Sequence, residues 1–302
     1  MQTSIAILGA GAMGLVFAAR LQTVANVALV AEGERRQRLL NGVTVNDQHY
    51  DFPVKAGDDT SAPDDLVLVA LKHQHLADAI PLIRNRVGEN TLIISVMNGL
   101  DSEPMLADAY GADNVLYAIS VGLDAQRKGT DVYHSKIGVL HFGEADNSTL
   151  SDKVKWTQSL LAAADIPYQT PTDMIRTMWW KFMINVGINQ TSSVLDAPYG
   201  VFQTSPHAQA IMEAAMREVV TIAQAERVNL TEADITGWYD ILATVHPEGR
   251  TSMLQDVNAG RMTEVDIFAG KMIELGQKHG IDVPVNRLLF HAIKTIESRY
   301  GE

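Results

Sequence analysis

The chain has 302 residues, 46% hydrophobic and 20% charged, with a formal net charge of −12 and a pI near 5.2. These values suit a globular protein with room for two domains, and the acidic balance argues against nucleic acid or an anionic membrane as main partner while allowing a local positive site. The sequence holds no cysteine, which excludes a disulfide, a thiolate nucleophile and a Cys-based metal site.

In chain order, residues 5–8 form an apolar run short enough for a buried parallel strand. Gly9, Ala10, Gly11, Ala12, Met13 and Gly14 follow as G-x-G-x-x-G, and a helical pattern starts at once. Strand, tight turn and helix in that order place free N–H groups and a partial positive charge where a pyrophosphate would lie, so the turn reads as a dinucleotide site. Residues 27–31 read as a second parallel strand ending at Glu32. An acid there can accept hydrogen bonds from the adenosine ribose and favours NAD over NADP. Arg35 and Arg36 pull the other way, since a guanidinium can fold over a phosphate, although a solvated helix start explains them equally well.

Residues 43–55 alternate weakly and suggest a small hairpin. Residues 66–71 form a clear buried strand with Lys72 at its carboxyl end, and residues 73–85 look helical. Further strands are expected over 91–96, ending in Met97-Asn98-Gly99, and over 114–120. Residues 131–143 look like antiparallel strands with Gly138 and Gly143 at bends. Alternating strands and helices predict a parallel sheet covered on both faces. Met1 leads straight into the first strand, and no apolar stretch is long enough to span a membrane, so a cytoplasmic protein is expected.

From about residue 173 long helical patterns dominate, over 173–194, 206–227, 231–245, 258–279 and 285–300. Pro206 suits a first helical turn and Gly280 a helix stop. The expected architecture is therefore α/β: a Rossmann-type parallel-sheet domain over residues 1–170 and an all-helical domain over residues 171–302.

Lys181, Asn185 and Asn189 recur every four residues and form one stripe on the first of these helices. Such a stripe usually marks a solvated face, but Trp179, Trp180, Phe182, Met183, Ile184, Val186 and Ile188 make the other faces apolar. A buried amide or ammonium without a partner costs a few kcal/mol, so the stripe needs internal partners or a ligand cavity. Glu32, Lys72 and Asn98 all fall at carboxyl ends of strands, where open parallel sheets bind ligands. The histidines form no H-x-x-x-H or H-E-x-x-H arrangement, so no metal is expected.

Taken with Ser252-Met253-Leu254-Gln255-Asp256, Thr263-Glu264-Val265-Asp266 and His279-Gly280-Ile281-Asp282-Val283-Pro284, these motifs resemble the ketopantoate reductase (2-dehydropantoate 2-reductase) family essentially end to end. The resemblance implies a Rossmann domain followed by a helical domain, an active site in the cleft between them, and reduction of 2-dehydropantoate to (R)-pantoate in pantothenate and coenzyme A synthesis, usually with NADPH. It implies Lys181 as proton donor; Asn98, Asn185, Asn189 and Ser252 as substrate contacts; and Glu264 as a carboxylate near ribose and lysine. Beside the cofactor it implies Lys72, Asn98, Glu264, Ala125 and the turn from Gly9 to Gly14.

This chain departs from the family pattern at Glu32, where a basic residue for the 2′-phosphate is common, at Gly122-Leu123-Asp124-Ala125, and at Tyr199, which stands for an asparagine. NADPH versus NADH and the particular 2-keto acid therefore stay open. A reductase of another 2-keto acid using NADH is one alternative, and a non-catalytic dinucleotide sensor is another. The expected partners are a small 2-keto acid and, from the apolar C-terminal helices, a second copy of the chain.

Overall fold

The apolar run after Ser4 becomes the strand on which the first half is laid out. The computed structural model describes residues 2–129 and 131–300. They fall into two compact units, Met1–Ile175 and Arg176–Glu302.

The first unit begins with β1 (Ser4–Leu8), α1 (Ala12–Leu21), β2 (Asn26–Val30), the short α2 (Gly33–Leu39), β3 (Val43–Val45), β4 (Gln48–Tyr50), β5 (Val54–Lys55) and β6 (Leu66–Val69). It continues through α3 (Leu76–Ala79), β7 (Leu92–Ser95), α4 (Ser102–Tyr110), β8 (Val115–Val121), β9 (Asp124–Lys128), β10 (Asp131–Lys136), β11 (Val139–Gly143), α5 (Asp152–Ala163) and β12 (Tyr168–Gln169). The main sheet has eight strands in the order β12-β11-β8-β7-β6-β1-β2-β5. β1 pairs in parallel with β2 on one side and β6 on the other, in the register Leu8 with Val30 and Val69. The strand order reverses at β1, and the carboxyl ends of β1, β2, β6 and β7 emerge on one edge, which is where such sheets hold ligands. Leu66, Val67, Leu68 and Val69 are all buried, as a central strand covered on both faces requires.

Several expectations need correction. The hairpin over residues 43–55 covers only β3 and β4; β5 leaves it and joins the main sheet beside β2. The antiparallel strands expected over residues 131–143 are present as β10 and β11, but they pair with different neighbours and not with each other. β10 lies between β9 and β3 in a second, four-stranded sheet, whereas β11 runs antiparallel to β8 in the main sheet. Gly138, with φ of 68°, sits so close to Val121 that a Cβ would lie 2.3 Å from its carbonyl oxygen, and this turn carries the chain from one sheet to the other. The main sheet is thus mixed at that edge. Residues 73–85 form two 3₁₀ stretches around the single turn of α3, because Pro81 lies at the start of the second stretch and cannot donate a helical bond. α5 was not expected at all, though Ser151 caps it through Val154 N in the usual way.

The second unit carries on from α6 (Met174–Ile184), a single wide turn at Asn185–Asn189 with π geometry, and α7 (Gln190–Leu195), which together occupy the expected 173–194 helix. After α8 (Tyr199–Thr204), which the sequence did not suggest, come α9 (Pro206–Ala225) and α10 (Glu232–Leu242), then α11 (Ser252–Asn258), α12 (Ala269–His279) and α13 (Pro284–Glu297). Pro206 does open α9, and Gly280, at φ 66°, does close α12. The helix expected over 258–279 is wrong in its first half. Gly260 adopts φ 61°, and the backbone N–H of buried Thr263 donates to Glu297 at 2.8 Å, so this stretch is held as a loop with a 3₁₀ turn at Val265–Ile267. The core of this unit is Phe182, Met183, Val186 and Ile188 among Met212, Met216, Val219, Leu254, Phe268, Leu289 and Ile293, all buried.

Candidate active site

Two groups of residues carry chemistry, one in each unit. In the first, the glycine turn is shaped by contact rather than by composition. Gly9 has φ of 109°, and a Cβ there would lie 2.4 Å from the Ala70 carbonyl oxygen. A Cβ on Gly14 would lie 2.0 Å from the Gly9 carbonyl oxygen, so helix and strand can meet this closely only without side chains. Gly11 faces open space except for Ala70 at 3.9 Å, leaving room for a ligand to approach the backbone. Gly11 caps α1 without a side-chain acceptor, and the first turn holds no acid, so the N–H groups beginning with Ala12 and Met13 point to a site suited to an anion. These residues therefore fit the pyrophosphate of a dinucleotide.

Around that turn, Glu32 follows β2, half-buried Lys72 follows β6, and half-buried Asn98 follows β7. Ala125 lies on β9, in the second sheet. The Glu32 carboxylate accepts a hydrogen bond from Gly57 N at 2.5 Å, which ties it to the loop after β5. Arg35, not Arg36, reaches the turn, donating from Nη2 to the Ala10 carbonyl oxygen at 2.9 Å. Arg127 donates to the same oxygen at 2.5 Å. Arg127 escaped sequence reasoning because its partner lies across the fold; a lone basic residue on a short polar strand gives no signal.

In the second unit, Lys181 and Asn185 are half-buried and Asn189 is 6% exposed. The turn at Asn185–Asn189 brings the amides one above the other, with Asn189 Nδ2 donating to Asn185 Oδ1 at 3.5 Å. A π turn is wider than an α turn and leaves backbone carbonyls without their usual donors. The next four side chains supply them. Gln190 Nε2 donates to the Val186 carbonyl at 2.7 Å, Thr191 Oγ1 to Gly187 at 2.7 Å, and Ser193 Oγ to Asn189 at 2.8 Å. Ser192 Oγ pairs with Thr251 Oγ1 at 2.6 Å. Gln190, fully buried, also donates to Asn286 Oδ1 at 3.0 Å and accepts from Ala269 N at 2.9 Å. Gly187 completes the arrangement, because a Cβ there would lie 2.5 Å from the Met216 side chain. The wide turn is thus held from both sides, a local choice that fixes where Asn185 and Asn189 sit.

Ser252 is exposed at the first position of α11, and buried Thr251 is the cap beneath it, accepting from Leu254 N at 3.1 Å. Glu264 is half-buried at the head of the 3₁₀ turn, next to Thr263, whose hydroxyl donates to Glu297 at 2.6 Å. Gln190, Thr251 and Glu297 are the residues that sequence reasoning missed here. A Thr before an apolar run is a cap signal, but nothing local marks Gln190 or Glu297. Among the described residues there is no group of His, Asp and Glu able to hold a metal ion, and no helix long and apolar enough to cross a membrane.

Against known families, residues 5–147 match the model described as Ketopantoate reductase PanE/ApbA, and residues 173–297 match its C-terminal counterpart, Ketopantoate reductase PanE/ApbA C terminal. The chain belongs to the ketopantoate reductase family. It is accordingly an oxidoreductase with a Rossmann-type domain and a helical C-terminal region. The curated 2-dehydropantoate 2-reductase of Shigella flexneri is 27% identical over 311 residues, covering 98% of this chain and 96% of that protein. Among solved structures, the dimeric ketopantoate reductase of Staphylococcus aureus shares the fold at a TM-score of 0.83 and 22% identity, covering 99% of this chain and all of that one. A D-mandelate dehydrogenase in a ternary structure with NADH and anilino(oxo)acetate shares it at a TM-score of 0.88 and 19% identity, covering 98% of each chain.

Proposed function

We propose that this ketopantoate reductase family member reduces 2-dehydropantoate to (R)-pantoate, with NADPH as the hydride donor. The observation that carries the reading is the line of Lys181, Asn185 and Asn189, held on an otherwise buried helix by a turn whose Val186, Gly187 and Asn189 carbonyls accept from buried side chains. A non-catalytic sensor has no need of an ammonium held in that setting.

The glycine turn and α1 would hold the pyrophosphate of a nicotinamide dinucleotide, with Lys72 and Asn98 at the strand ends beside it, and such a group would supply a hydride for the ketone carbon. Negative charge then develops on the ketone oxygen, and the Lys181 ammonium stabilises that oxygen and gives it a proton. Asn185, Asn189, Asn98 and Ser252 bind the substrate carboxylate and hydroxyl through neutral donors, which leaves the single positive charge for the reacting oxygen. Glu264 orients the lysine and accepts from the ribose. Tyr199, in place of the family asparagine, favours a second reading in which a different branched 2-keto acid is the preferred substrate. A cytoplasmic location rests on the cysteine-free chain, and a homodimer on the dimeric S. aureus relative.

Mass spectrometry of the product formed from 2-dehydropantoate and NADPH deuterated at nicotinamide C4 tests the reading. Deuterium retained at C2 of pantoate supports it. Oxidation of the cofactor without labelled pantoate sinks it.

A further inference from the structure

A short turn over residues 96–101 joins β7 to α4, and Asn98 stands in it, half-buried, just before Gly99 at φ of 95°. A glycine leaves the backbone there free to swing, so the place of the Asn98 amide has to be fixed from elsewhere. A row of hydrogen bonds crosses the neck of the turn. Val96 N still donates across the sheet to the Val69 carbonyl oxygen at 2.9 Å. The next N–H, that of Met97, donates to Ser95 Oγ at 3.3 Å. Ser95 Oγ donates to Ser102 Oγ at 2.8 Å, and Ser102 Oγ donates to Glu103 Oε2 at 2.8 Å. The row runs from the N–H beside Asn98, through the end of β7, into the first turn of α4.

Glu103 is costly where it stands. An acid in the first turn of a helix complements the helix dipole and can do so from solvent. Glu103 and Ser102 are each 2% exposed and Ser95 is fully buried. The second carboxyl oxygen of Glu103, Oε1, makes no hydrogen bond. Burying such a group costs a few kcal/mol, and an apolar side chain of like size would leave the fold at least as stable. Neither packing nor the dipole therefore accounts for it. What the carboxyl provides is the acceptor that ends the row. It takes the Ser102 proton, which leaves Ser102 Oγ to accept from Ser95 and Ser95 Oγ to accept from Met97 N.

We infer that Glu103, acting through Ser102 and Ser95, is a positioning residue that holds Asn98 in place for the keto acid. The inference rests on the reading of Asn98 as a substrate contact and adds what sets its position. Glu103 touches no substrate; it closes the neck of the turn, so that the glycine beside Asn98 has only one arrangement to adopt.

Steady-state kinetics of the whole protein with 2-dehydropantoate and NADPH, run as a double-mutant cycle, tests this. E103M and S95A each raise KM for the keto acid about threefold to tenfold and leave kcat within about twofold of wild type. The unfolding midpoint of E103M is no lower than that of the wild type. E103Q, which keeps an acceptor for Ser102, restores the wild-type KM. In an N98A background neither E103M nor S95A raises KM further, because the residue they act through is gone. S95A keeps the carboxyl and decides the matter should E103M not fold. An unchanged KM in both variants, or the same rise with Asn98 removed as with it present, overturns the inference while leaving the substrate reading standing. A wild type that turns over no 2-dehydropantoate overturns that reading and this inference with it.

Discussion

Replacing Lys181 by alanine removes the only group proposed to neutralise the developing alkoxide. We expect kcat to fall by about 10²–10⁴ while circular dichroism stays unchanged, and near-normal turnover in K181A would remove the lysine from its role. A second residue-scale consequence lies under the strand ends. Glu103 opens α4 completely buried, receives Ser102 Oγ at 2.8 Å, and leaves Oε1 without a partner. Burial pushes its carboxyl up to about 7, against the hydrogen bond from Ser102 that pulls it down. The folded state then holds its proton more tightly than the unfolded chain, so this group's stabilising contribution is full below pH 4.5 and is lost as pH rises to about 7. Unfolding free energy followed by denaturant titration should fall across that window in the wild type and flatten in Glu103→Gln. An unchanged slope in the variant rules the linkage out. Residue patterns of this kind were only partly readable beforehand. The stripe at Lys181, Asn185 and Asn189 showed itself because helical spacing is local. Glu103, Gln190 and Arg127 stayed silent because their meaning comes from partners or burial that only the tertiary fold supplies.

The decisive element is the wide turn at Asn185–Asn189. Four-residue spacing puts Asn185 and Asn189 on one side of the helix, and across the π turn Asn189 Nδ2 donates to Asn185 Oδ1 at 3.5 Å. Gln190 secures it with bonds to Val186, Asn286 and Ala269, which join α7 to α13 and α12. Gln190→Ala empties a fully buried position and strands the Ala269 N–H, so we expect a loss of about 2–5 kcal/mol in unfolding free energy. KM for the keto acid should rise as the asparagines lose their register. Stability near wild type with unchanged KM would show that the turn does not need Gln190. At this scale the parallel strands were readable, since continuous apolar runs between Gly-rich turns have few other homes. The loop over residues 259–268 was not, because its apolar spacing imitates a helix, and the Glu297 contact that holds it open comes from α13.

Over the whole molecule, the glycine turn lies in the first compact unit, and the stripe of Lys181, Asn185 and Asn189 lies in the second. The family matches span residues 5–147 and 173–297, so both halves carry the same assignment. The sequence motifs were enough to reach that assignment. They left the choice of cofactor open, because Glu32 suits a ribose acceptor while Arg35 and Arg36 suit a phosphate. The most direct test is a steady-state comparison of the purified protein with NADPH and NADH over a panel of 2-keto acids. The account predicts the highest kcat/KM for 2-dehydropantoate with NADPH, in the ordinary enzymatic range of about 10⁴ M⁻¹s⁻¹ or more. No oxidation of either cofactor in the presence of 2-dehydropantoate, with another 2-keto acid turning over freely, would contradict it.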